Sequence, residues 1–160
     1  MPAAPTWFSD ALATPYDRRD VVVEGARVTY RAWGKPGAPV LVLVHGGAAH
    51  AGWWDHVAPF LTAAHRVVAL DLSGHGDSDR RDTYDLETYA AEVLAVAEAE
   101  AADTSEKPCV IGHSMGGFVA LTAGRDHGSR LTGVCAVDSP VKQMSPEARA
   151  WRESGRNAPG

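Results

Sequence analysis

Gly112-His113-Ser114-Met115-Gly116 lies between an apolar run, Lys107 to Ile111, and a helical pattern from Phe118 to Ala123. A serine flanked by glycines in that setting suits a sharp strand-to-helix turn that lifts its hydroxyl above a sheet. A side chain at either glycine would collide with the neighbouring strand or helix. The chemistry this permits is nucleophilic attack by the exposed Ser114 hydroxyl. Seven histidines compete for the role of base. His127 alone follows Ser114, and it lies about 13 residues along the helix, roughly 18–20 Å away at 1.5 Å per residue. That is too far to take the serine proton. Adjacent strand residues face opposite sides, so the His113 ring is expected to turn into the sheet. His50 is a candidate for the pocket mouth, together with Ala48. His65 reads as a surface turn residue, and His56 and His75 as structural or exposed. Of Trp53 and Trp54, one is expected to anchor the core and the other to be partly exposed under a cap, by packing or, alternatively, as an aromatic platform for substrate.

The elements that must hold these residues alternate in type. Asp20–Val23 and Arg27–Trp33 read as a hairpin around Glu24-Gly25-Ala26. Val40–Val44 is apolar on both faces, as a central parallel strand requires. Trp53 to Ala63 can form a helix that Pro59 kinks or restarts. Arg66–Leu70 is the next strand. Tyr84 to Ala101 places Leu86, Tyr89, Ala90, Val93, Leu94 and Ala97 on one helical face, with Glu92, Glu98 and Glu100 directed elsewhere. Strand Pro108–Ile111, a helix ending at Gly128 and strand Leu131–Val137 follow. Ser145-Pro146-Glu147 has the composition of a further helix start. Met1 to Pro15 is expected to be a loosely held arm. The pattern predicts an α/β fold with a mostly parallel sheet flanked by helices. The hairpin should form one edge and Leu131–Val137 the other.

Composition narrows the field. A chain of 160 residues, 45% hydrophobic and 22% charged, suits one globular domain. A formal net charge of −5 argues against nucleic acid or an anionic membrane as a partner. No apolar run approaches the roughly 20 residues of a membrane span. The first residues lack a signal-peptide pattern, so a cytoplasmic location is expected. Cys109 and Cys135 fall in apolar strands and are expected to be reduced core residues. No Cys/His spacing suggests a metal site, and no cofactor is expected.

Three motifs, each just after a strand, come in order: His45-Gly46-Gly47-Ala48-Ala49, Asp71-Leu72-Ser73-Gly74-His75-Gly76-Asp77-Ser78, and the turn at Ser114. Together they resemble the α/β-hydrolase superfamily, in its branch of small cap-bearing serine hydrolases, over about residues 20 to 140. The resemblance implies Ser114 as nucleophile and the backbone N–H groups of Met115 and Gly47 as an oxyanion hole, with Ala48 the neighbouring possibility. It implies that His45 supports the oxyanion loop. Serine rather than aspartate at 114 implies acyl transfer on a small ester, thioester or related carbonyl compound. Asp138, after the sixth strand, is a possible acid, or simply a residue that ends the strand; Asp71 reads as turn-forming.

The family's triad runs Ser, acid, His. The chain is therefore expected to be a fold truncated after the sixth strand, with base and acid beyond Gly160 and little turnover of its own. The expected division is a flexible arm (1–18), a partial hydrolase core (19–140) and the start of a cap (141–160), with Ser145 to Arg156 its first helix. An exposed sheet edge could then drive self-association. The alternative reading is a non-catalytic remnant or binding module of the same fold.

Overall fold

The computed structural model describes residues 3–140; the expected cap segment 141–160, with its helix start at Ser145, lies outside the described residues. Six strands form one sheet in the order β1-β2-β4-β3-β5-β6. They are β1 (Asp17–Val23), β2 (Ala26–Trp33), β3 (Val40–Val44), β4 (Arg66–Leu70), β5 (Cys109–His113) and β6 (Gly133–Val137). The hairpin strand β2 joins β4 antiparallel, and β4, β3, β5 and β6 run parallel to one another. The hairpin and β6 are the two edges, as the alternating pattern predicts. Glu24 and Gly25 both have positive φ, 48° and 81°, which gives the two-residue turn whose twist matches the flanking strands.

Strand β3 is buried along its whole length because both faces are covered. Val40, Val42 and Val44 point one way, into a core shared with helices α2 (Leu86–Ala101) and α3 (Met115–His127). Leu41 and Leu43 point the other way, toward Trp33, Ala51, Ala58 and Trp54. The period-2 alternation of the strand thus builds two cores from one apolar run. Helix α2 starts at an Asp85 cap, whose carboxylate accepts the Thr88 N–H at 2.7 Å.

Four expectations need correction. The amino-terminal arm is not loose throughout: α1 (Thr6–Leu12) is helical, with Trp7 against Phe60 and Phe8 against His56. Aromatic contacts hold it where periodicity gave no signal. The single helix over 53–63 is instead two 3₁₀ turns, Ala51–Trp54 and Ala58–Leu61. Pro59 has no N–H to continue the first turn and sits in the opening turn of the second. The cysteines are free but not core: Cys109 is half-buried and Cys135 exposed, because β6 is an edge strand.

Glu92 and Glu100 do not face solvent. Both carboxylates are buried, each against an arginine from a distant segment. Arg81 Nε donates to Glu92 at 2.9 Å, and the Ser73 N–H donates to the same carboxylate. Arg66 Nε donates to Glu100 at 2.7 Å, and Arg66 also donates to Asp17 and the Gly34 carbonyl. The Tyr30 hydroxyl donates to Glu100 at 3.0 Å; burial and that carboxylate push its pKa up to about 12.

Candidate active site

Three loops converge at the carboxyl ends of β3, β4 and β5, where open parallel sheets bind ligands. At the end of β5 the backbone of Ser114 takes φ 53° and ψ −116°, a conformation that costs a non-glycine residue about 1–3 kcal/mol. The surroundings hold it there. The Ser114 N–H donates to the Val137 carbonyl at 2.9 Å, and the Ser139 hydroxyl donates to the Ser114 carbonyl at 2.9 Å. A Cβ at Gly112 would lie 1.9 Å from the Gly116 carbonyl oxygen, and one at Gly116 would lie 2.4 Å from that of His45. Only hydrogen fits at either place, which is the steric reason for both glycines.

The loop after β3 runs directly beside the serine. A Cβ on Gly46 would sit 3.2 Å from the Ser114 Cβ, and one on Gly47 would sit 3.9 Å from the Met115 sulfur. Ala48 has φ 56°, so the loop turns sharply just beyond Gly47. Met115 opens α3, so its N–H is among the helix's unpartnered amino-terminal amides. Among the described residues neither the Gly47 nor the Met115 N–H has an acceptor. Two free amides beside a serine hydroxyl can receive an oxygen that gains negative charge.

His45 and Asp71 fix this loop. The Leu72 N–H donates to His45 Nε2 at 3.2 Å, so the ring proton sits on Nδ1 and goes to the Gly46 carbonyl at 2.7 Å. Burial pushes the His45 pKa down to about 4, which keeps the ring neutral, as this pair of bonds requires. The buried Asp71 carboxylate accepts the Ala51 N–H at 2.6 Å and the Asp77 N–H at 2.9 Å. It therefore ties the loop after β3 to the loop after β4, a bridging role beyond the turn-forming one read from sequence. Its partners lie 20 and six residues away, so only its position after a strand hinted at it.

A cavity of about 430 Å³ opens above Ser114, lined by residues 46–50, Gly52, Trp53 and His113. His113 lines it rather than pointing into the sheet, because its ring stacks on Trp53 with centroids 5.9 Å apart and planes 19° from parallel. Trp54 packs against the core, whereas Trp53 remains 52% exposed. His50 Nδ1 accepts the Gly52 N–H. Asp138 is 87% exposed and has φ 50°, with its Oδ2 3.8 Å from His113 Nε2. Among the described residues no imidazole bonds to the Ser114 hydroxyl, and His127 lies at the far end of α3. His75 packs beside His45. Among the described residues no cluster of three His, Cys, Asp or Glu could hold a metal ion.

The chain belongs to the alpha/beta hydrolase family, whose model matches residues 41–160. Protein phosphatase methylesterase 1 of Bos taurus is 41% identical over 128 residues, covering 74% of this chain and 33% of the methylesterase. Epoxide hydrolase A of Mycobacterium tuberculosis is 31% identical over 140 residues, covering 84% of this chain and 42% of that protein. The crystal structure of epoxide hydrolase A from Mycobacterium thermoresistibile superposes with a TM-score of 0.75 at 27% identity, covering 88% of this chain and 45% of that one. The chain thus spans about a third of the methylesterase's length.

Proposed function

We propose that this chain carries the nucleophile and oxyanion hole of a serine hydrolase that cleaves a small ester, thioester or related carbonyl substrate. The observation that supports the reading is Ser114 itself, held at positive φ beneath the cavity and beside the Gly47 and Met115 amides. Serine at this position favours an acyl-enzyme over the alkyl ester that an aspartate nucleophile would form. In the proposed reaction Ser114 Oγ attacks the carbonyl carbon while a base takes its proton. The carbonyl oxygen becomes negative and accepts the two N–H groups. Collapse expels the alcohol or thiol, which regains the proton, and water then releases the acid by the same steps. The base comes from outside residues 3–140, since none of the described imidazoles bonds to the Ser114 hydroxyl.

The test is fluorophosphonate labelling, alongside ester turnover, of the protein together with the segment that supplies the base, in wild type and Ser114→Ala. Labelling should vanish in the variant, and any turnover should fall about 10³-fold or more, because triad members act as a unit. Turnover retained in the variant would refute the assignment. A wild-type protein that carries that segment and still neither labels nor turns over would favour the binding-module reading.

A further inference from the structure

The cavity above Ser114 has unequal walls. Five of its lining residues are glycine or alanine, at positions 46, 47, 48, 49 and 52, and contribute little beyond backbone. Among the described residues its shape is therefore set by three rings, those of His50, Trp53 and His113. The His50 ring is pinned across Gly52, where a Cβ would meet its Cε1 at 2.7 Å. Trp53 and His113 lie nearly parallel, and Asp138 faces the outer nitrogen of His113. Trp53 lines the cavity and, among the described residues, is 52% exposed.

We infer that the stacked Trp53–His113 pair is a specificity wall that selects a flat, aromatic acyl group. The inference rests on the serine-hydrolase reading above. The leaving group must sit against the base that protonates it, and none of the three rings bonds to the Ser114 hydroxyl. The walled side of the serine therefore holds the acyl group, which stays bound through both half-reactions. An aromatic acyl ring stacks on a face already aligned by its neighbour. A saturated ring of the same carbon count fills similar volume without that face-to-face contact.

The discriminating probes are phenylacetamide and cyclohexylacetamide, which differ in ring planarity and are read by binding, without any need for turnover. Dissociation constants are measured by NMR titration of the purified protein, following the Trp53 indole N–H resonance, assigned by its loss in Trp53→Phe. Wild type should bind phenylacetamide about threefold to tenfold more tightly, the range that aromatic stacking supplies. Trp53→Leu, followed by ligand-observed NMR, should bring the ratio close to one, and Trp53→Phe should keep most of it. A wild-type ratio near one, an indole resonance that does not move, or an unchanged ratio in Trp53→Leu would overturn the inference. Phosphonate labelling of the protein together with the segment that supplies the base separates the two failures: labelling that depends on Ser114 without aromatic preference rejects the wall alone, and labelling that survives Ser114→Ala, or is absent from that wild type, rejects the reading beneath it.

Discussion

At the scale of single residues, the candidate site depends on groups that never touch a substrate. His45 is the clearest case, because its neutral form alone satisfies both the Leu72 N–H and the Gly46 carbonyl. Its pKa is pushed down by burial to about 4, from an ordinary value of 6.5. Between those two values the unfolded chain binds a proton that the native ring refuses. Stability is therefore fully present above pH 6.5 and is lost as pH falls from 6.5 toward 4, by about 3 kcal/mol at the limit. Urea denaturation at pH 7, 6, 5 and 4 checks this. His45→Asn keeps an amide donor for Gly46 but cannot titrate; it should start less stable at pH 7 and decline less steeply. Equal slopes in the two proteins would place the acid sensitivity elsewhere.

At the scale of elements, the buried ion pairs of α2 decide how the helix sits on the sheet. Arg66 and Glu100 are each 2% exposed at the side chain, so water screens the pair little. Glu100 also holds Arg19, at 3.1 Å, and the Tyr30 hydroxyl, so removing Arg66 weakens its pairing without leaving it bare. Arg66→Met should therefore cost less than the roughly 3–5 kcal/mol of a fully stranded buried charge, about 1–3 kcal/mol in chemical denaturation. Adding Glu100→Leu should cost less than the sum of the two single changes, because the two side chains interact directly. Strict additivity would show that the two side chains do not act as a pair. The same pairs mark where reading the sequence ran out. The strands, α2, α3 and the turn at Ser114 were legible because apolar period and glycine spacing are local signals. A glutamate within a helical repeat reads the same whether solvated or paired, and its arginine lies 34 residues away for Glu100 and 11 for Glu92. The Trp53–His113 stack was hidden for the same reason: strand alternation says which side a residue leaves from, not which ring it then meets.

At the scale of the whole molecule, the sheet is well covered on its faces and unequal at its edges. The β1 edge carries Asp17, Arg18, Arg19 and Asp20, charges that discourage pairing with another chain. Strand β6, Gly-Val-Cys-Ala-Val, carries none, and Cys135 and Val137 are exposed on it. It pairs with β5 on one side, and among the described residues nothing pairs with its other side. Its outward N–H and C=O groups, beside apolar side chains, form a template for a further strand. A second copy of the same chain offers an identical strand, so an isologous pairing of β6 with β6 is the simplest closed arrangement. The expected outcome is that the purified 160-residue chain sediments as a concentration-dependent dimer or larger species. Val137→Lys, at an exposed position of that edge, should shift it toward monomer without lowering the melting temperature by more than a few degrees. A monodisperse wild-type monomer, or a dimer indifferent to the lysine, would show that the β6 edge is not the contact.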